Sequence, residues 1–197
     1  MATPYTKDLD YASSVLNAGG IIVCPSEGVY GLSCDVNNQK AIERIIRLKK
    51  RDSAKGLILV DGNDKFLKEH ADFTKLSKRA LYLMNLNWPG PHTFIVPSVK
   101  SFKSYAVRSD HTMAFRISSF SAFVNLCDSL GRPLISTSAN ISGQNAVSEL
   151  SLLDPEIIAG VDLVLDLPCG GQFAPTSIYD CILERLIRTG PGFKEFL

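Results

Sequence analysis

Charge of one sign is what this sequence most clearly lacks. Its 21 basic and 20 acidic residues leave a formal net charge of +1, so the chain as a whole is no polycation built to coat nucleic acid. Long apolar runs are missing too: none approaches the roughly 20 residues that span a bilayer. The opening MATPYTKDLDYASS has no basic segment leading into an apolar one, so no secretory leader is expected. The five cysteines, at 24, 34, 127, 169 and 181, form no C-x-x-C pair, and His70, His92 and His111 show no metal-ligand spacing. That argues against a zinc ribbon or a dithiol redox centre and favours a reduced, cytoplasmic protein without a metal cluster. Common nucleotide and hydrolase signatures are absent as well. There is no G-x-x-x-x-G-K-S/T, no G-x-G-x-x-G between a strand and a helix, and no G-x-S-x-G.

Apolar material is plentiful, at 45% of residues, enough for a sizeable core. Its spacing alternates between two periods. Leu9, Ala12, Val15 and Leu16 sit at helical intervals, and Gly19-Gly20 ends that stretch. Ile42, Ile45 and Ile46 mark a second helix over 39–50; Leu76, Ala80, Leu83 and Met84 mark a third over 74–86; a fourth is expected over 120–130. Short runs read as strands at 21–24, 56–60, 93–96, 112–117, 133–137 and 162–166. Residues 177–183 and 185–187 read as a hairpin joined near Glu184. Cys24 and Cys34 lie inside apolar segments and read as small core residues. No linker, repeat or composition break divides the chain. The expectation is one α/β domain over residues 1–197, with a twisted sheet of parallel and antiparallel strands flanked by helices. Strand order is not readable from the pattern.

Several segments could carry chemistry. Between residues 44 and 55 lie Arg44, Arg47, Lys49, Lys50, Arg51 and Lys55, against the single acid Asp52. A solvated helix end complementing its own dipole would have this composition. The cations continue past the helix, however, into a loop before an apolar strand, where α/β folds place ligands. One charge-assisted hydrogen bond contributes roughly 1.5–3 kcal/mol, less than the roughly 4 kcal/mol behind millimolar binding, so a phosphate site needs donors from further segments. Ser136-Thr137-Ser138-Ala139-Asn140-Ile141-Ser142-Gly143 could supply them: hydroxyl and amide donors without charge, and a glycine that admits close backbone approach. A polar turn closing a strand is the alternative. Pro25 to Leu32 forms a glycine-containing loop, Arg116 interrupts a strand with a fork suited to a carboxylate, and Thr176 precedes a C-terminal Arg188-Thr189-Gly190.

Taken together these segments resemble the threonylcarbamoyl-AMP synthase family (TsaC, also called YrdC), in its compact bacterial form. The resemblance rests on PSEGVYGL at 25–32, LKKR at 48–51, KGLILV at 55–60, WPGPHTF at 88–94, AFRI at 114–117, STSANISG at 136–143 and IRTGPG at 187–192. It implies a YrdC-like fold and an adenylyl transfer. L-threonine and bicarbonate give a carbamate whose oxygen attacks the α-phosphate of ATP, with Mg²⁺ accompanying the nucleotide. Pyrophosphate leaves, and partner proteins pass the threonylcarbamoyl group to an adenosine of tRNA. Residue by residue, the resemblance places Lys49, Arg51, Lys55, Thr112, Ser138, Asn140, Ser148 and Arg188 at ATP, and Arg116, Thr176 and the loop position Gly28 at threonine. No metal ligand, nucleophile or general base is assigned, because in-line transfer at phosphorus calls chiefly for positioning and charge stabilisation.

Three segments depart from the family pattern. Ser26 and Gly28 replace threonines of its Pro-Thr-Glu-Thr loop, Asp52 stands where a proline follows Lys-x-Arg, and Thr176-Ser177 inverts a Ser-Thr order. Two rivals remain beside the synthase. One is a noncatalytic module binding nucleotide or double-stranded RNA through Arg44, Arg47 and Lys50, with weak RNA contact possible for the synthase too. The other is the carbamoyl-AMP-forming relative of hydrogenase maturation, whose acylphosphatase part and cysteine pairs this chain lacks.

Overall fold

The structure, a computed structural model, describes residues 2–52 and 56–195. Its helices begin where short polar side chains take up orphan backbone N–H groups. Asp8 accepts from Asp10 and Tyr11 at 2.9 and 3.1 Å and starts α1 (Leu9–Asn17); Asn38 accepts from Ala41 at 3.0 Å and starts α2 (Gln39–Leu48). After α3 (Lys65–His70), the helix expected over 74–86 divides. A 3-10 turn at Phe73–Lys75 comes first, and α4 (Lys78–Asn87) restarts because Ser77 accepts from Ala80 at 3.0 Å. The helix expected over 120–130 is α5 (Ser121–Leu130), which Gly131 ends in the left-handed region. A short α6 (Pro155–Gly160), not expected from the sequence, follows the Asp154 cap, with proline at its start.

Ten strands run through the described residues: β1 (Tyr5–Thr6), β2 (Ile22–Pro25), β3 (Tyr30–Asp35), β4 (Ile58–Asp61), β5 (His92–Pro97), β6 (Thr112–Ile117), β7 (Leu134–Ser138), β8 (Leu163–Leu165), β9 (Ser177–Asp180) and β10 (Arg185–Arg188). They form one sheet in the order β1-β8-β2-β3-β7-β4-β6-β5-β9-β10. Pairs β1/β8, β2/β8, β4/β6 and β5/β9 are parallel and the other five antiparallel, so the sheet is mixed as expected. The C-terminal hairpin forms with its first strand shorter than the expected 177–183. Asp180 Oδ1 accepts from the backbone of Ile182 and Leu183, both at 2.9 Å, and turns the chain there.

Strand alternation sorts the apolar side chains onto two faces. Val23, Leu32, Leu59, Phe94, Phe115, Ile135 and Val164 join α2, α4 and α6 in the larger core, where Trp88 stacks edge-on against Phe94 at 4.9 Å. Ile22, Cys24, Val60, Leu134 and Leu163 pack with α1 and α5 on the opposite face. Where those two helices stop, the second face of β4, β5, β6 and β9 is left to line a cavity. None of the helices described is long and apolar enough to cross a membrane.

Candidate active site

That cavity is built by alternation. On β6, Met113 and Phe115 are fully buried in the larger core while Ala114 and Arg116 line the cavity. On β7, Ile135 faces the core, and Ser136 and Ser138 line the cavity. Ile58, Ile95 and Ile178 supply its apolar floor, and Arg51, Arg108 and Arg188 reach it from loops and from the end of β10. Four arginines and several hydroxyls therefore converge, and no carboxylate is found among the described residues lining the space. Its volume is about 170 Å³. That is below the roughly 300–1,000 Å³ of pockets enclosing a whole drug-sized ligand, so it suits the charged part of a larger molecule.

Arg116 is the most deeply set, 3% exposed, with its guanidinium 5.5 Å over the Phe123 ring. The buried Glu27 lies beside it, Oε2 standing 3.5 Å from Nη2 without a hydrogen bond, and Ser118 donates to Glu27 Oε1 at 2.6 Å. Arg116 Nε and Nη2 have no hydrogen-bond partner. An unmade bond of this kind costs roughly 1–3 kcal/mol, which an incoming carboxylate or phosphate would recover. Arg188 is fixed by Thr176, donating from Nε to its carbonyl at 2.7 Å and from Nη2 to its hydroxyl at 3.2 Å; Thr176 Oγ1 also lies 3.2 Å from Thr93 Oγ1. Partial burial, then the charges of Arg116 and Arg51, lower the Arg188 pKa. These cations repel one another, and an anion between them relieves the repulsion. Arg51, its own pKa lowered by burial, donates from Nε and Nη2 to the Gly56 carbonyl at 3.3 and 3.1 Å.

The adjacent lysine turns elsewhere. Lys49 is 2% exposed, and its ammonium donates to the Ser138 carbonyl, to the Asn140 carbonyl at 2.7 Å and to Asn140 Oδ1 at 3.3 Å. Its backbone carbonyl accepts from Ser142 at 2.9 Å. Burial, then Arg51, push its pKa down to about 8. Asn140 uses its amide on the carbonyls of Ile141 and Gln144 at 3.0 and 2.7 Å. Lys49 and Asn140 thus tie the serine-rich loop to the end of α2.

The cavity brings together Arg51, Arg116, Ser138, Thr176 and Arg188 from the sequence candidates. Thr112 lies outside its lining, donating to Asp110 Oδ1 at 2.6 Å. Ser148 lines a neighbouring cavity that shares Tyr30 with the first. Gly28 faces the segment before β9: a Cβ there would stand 2.1 Å from the Ala174 carbonyl oxygen. Lys55 lies outside the described residues. Sequence reading named Ser136 among the donors of the 136–143 segment without giving it a role of its own, and it missed Arg108, which lies in an irregular stretch before β6 and carries no motif signal. Of the cations an RNA-binding reading would use, Arg44 pairs with Asp162 at 3.0 Å and Lys50 with Glu156 at 3.0 Å.

Known proteins resemble this chain in sequence and in fold. Residues 14–190 match the Sua5/YciO/YrdC family, described as telomere recombination. The threonylcarbamoyl-AMP synthase of Xanthomonas campestris pv. campestris (strain B100) is 36% identical over 185 residues, 94% of this chain and 99% of its own. P. abyssi Sua5 complexed with L-threonine superposes with a TM-score of 0.81 at 22% identity; 96% of this chain covers 57% of that one. E. coli YciO superposes with a TM-score of 0.75 at 25% identity, over 97% and 95% of the two chains.

Proposed function

The chain belongs to the Sua5/YciO/YrdC family, and from that premise we propose that it makes L-threonylcarbamoyl-AMP from L-threonine, bicarbonate and ATP with release of pyrophosphate. The observation that carries the proposal is the cavity where Arg51, Arg108, Arg116 and Arg188 meet with no carboxylate among the described lining residues. Three or four charge-assisted bonds there sum to roughly 5–12 kcal/mol gross, the scale of micromolar binding at about 8 kcal/mol. The relative from Xanthomonas campestris bears the name of this reaction, and P. abyssi Sua5 was determined with L-threonine.

Threonine's amine and bicarbonate condense with loss of water to a carbamate. A carbamate oxygen attacks the α-phosphorus of ATP, the bond to the bridging oxygen breaks, and pyrophosphate leaves. Arg116 takes the threonine carboxylate through its unpaired N–H groups, with Thr176 beside it. Arg51, Lys55, Ser138 and Arg188 take the phosphates, and Ser148 and Thr112, which do not line this cavity, contact the nucleotide beyond it. Lys49 and Asn140 act through the loop they hold, fixing Ser138 where the triphosphate passes. No carboxylate that would hold a metal is found among the described lining residues, so Mg²⁺ would enter as part of the MgATP substrate. In-line transfer needs fixed positive charge more than an acid or base, and fixed charge is what this cavity supplies. The product then goes to proteins that transfer the threonylcarbamoyl group to tRNA, in the cytoplasm.

The test is incubation of the pure protein with ATP, Mg²⁺, bicarbonate and L-threonine, following pyrophosphate. Release that depends on both threonine and bicarbonate is expected. Release indifferent to threonine would falsify the proposal.

A further inference from the structure

Arg108 lies outside every motif on which the family resemblance rests. We propose that it is a phosphate-contacting residue, clamping the polyphosphate of the nucleotide together with Arg51. The inference rests on reading the cavity as an ATP site and gives a role to the one of its four arginines to which the reaction sequence above assigns none.

The two arginines are joined through one peptide. The Gly56 carbonyl accepts both donors of the Arg51 fork, at 3.3 and 3.1 Å. On its other side the stem of Arg108 occupies the space a side chain would fill: a Cβ on Gly56 would lie 2.7 Å from Arg108 Cγ. Gly56 also has a φ of +60°, which disfavours any other residue. Arg108 itself is held in place, its N–H donating to the Thr112 carbonyl at 2.8 Å and its carbonyl accepting from His111 at 3.0 Å. Its side chain is 32% exposed, and its Nε is buried with no hydrogen-bond partner. Asp110 does not supply one: its Oδ2 stays 3.7 Å from that nitrogen, while its Oδ1 accepts from the Thr112 hydroxyl and N–H at 2.6 and 3.1 Å. The fork of Arg51 and the stem of Arg108 thus meet at one glycine in the wall of a cavity that both side chains line, and Arg108 Nε keeps donor capacity in reserve. A polyphosphate offers oxygens to both forks at once.

The experiment compares Arg108→Gln and Arg108→Lys with the wild type. ATP is titrated at saturating threonine, threonine at saturating ATP, and ATP binding is measured by calorimetry in the absence of threonine. Arg108→Gln is expected to raise KM for ATP about 10-fold or more and weaken ATP binding by a similar factor, the effect of losing one charge-assisted bond to an anion. KM for threonine stays within about twofold, the melting midpoint is unchanged, and Arg108→Lys recovers part of the loss. Wild-type ATP affinity in Arg108→Gln overturns the inference. So does an equal rise in both KM values with a lowered melting midpoint, which marks a folding role. Wild-type protein that binds ATP but releases no threonine-dependent pyrophosphate overturns the synthase reading alone, and calorimetry then still decides the part of Arg108. Wild-type protein that binds no ATP overturns both.

Discussion

At the scale of single residues, Lys49 is both the most buried cation and the one with the most to lose. Its ammonium serves three oxygens of the Ser138–Asn140 loop, and its removal takes a donor from each, although the Ser138 carbonyl keeps the Asn140 N–H at 3.0 Å. Lys49→Met should therefore cost about 2–4 kcal/mol of stability in urea unfolding and lower turnover as well. Arg51→Ala should cost about 1 kcal/mol of stability yet reduce turnover about 10²-fold, as for other charge-stabilising donors. Equal destabilisation in the two would refute this division. The lysine also has a pH signature. With its pKa pushed down to about 8 by burial and then by Arg51, it is charged below that pH and neutral above. The neutral amine has two protons for three acceptors, so kcat/KM for ATP should fall as pH rises through about 8. Lys49→Met should lack that limb in the pH profile. The Lys-x-Arg resemblance sets Lys50 apart as solvated but leaves Lys49 and Arg51 together at the nucleotide. The fold separates all three, Lys49 inward, Lys50 outward to Glu156 and Arg51 into the cavity, because α2 unwinds there and Lys50 takes a φ of +50°. Nothing in the composition of the run fixes that unwinding.

Among elements, the strands bearing the site were legible and their connections were not. The expected bounds for β6 match those found, and its alternation alone separates Met113 and Phe115 from Ala114 and Arg116. The loop between β2 and β3 holds a contact that its sequence does not show. At Gly28, which the family resemblance places at threonine, the loop presses on the segment before β9. The Ala174 carbonyl would be 2.1 Å from a Cβ at that position, and Gln172 N–H donates to the Glu27 carbonyl at 3.1 Å. Restoring the family's hydroxyl with Gly28→Thr should thus lower activity and the melting midpoint together, since backbone must move to admit the side chain. Improved threonine KM in that variant would show that the two segments separate more easily than their contact indicates. Such contacts between segments distant in sequence leave no periodicity to read.

For the whole molecule, net charge conceals the relevant field. A formal +1 is spread over a surface of paired charges, yet four arginines gather at one cavity. A ligand that binds only the folded state stabilises it by about 2.7 kcal/mol at a hundred times its Kd. Inorganic pyrophosphate should therefore raise the melting midpoint by several degrees in a saturable manner. Sodium chloride at equal ionic strength should not, and a similar rise with chloride would mean general screening in place of a site. The α/β class was readable because helical and strand periods alternate. Strand order was not, because β7 lies between β3 and β4 and β9 beside β5, pairings settled by tertiary packing.

The sheet order also sets a timetable. Tyr5 of β1 pairs with Val164 of β8, and Thr93 of β5 with Ile178 of β9. At a synthesis rate of roughly 5–20 residues per second, β1 waits roughly 8–30 s on the ribosome for its partner. Through the later part of synthesis β5 has an open edge, and Arg116 has already emerged while Thr176 and Arg188 have not. The cavity comes into being only with the last strands, so a stalled or truncated chain carries most of the fold's mass and none of its completed chemistry.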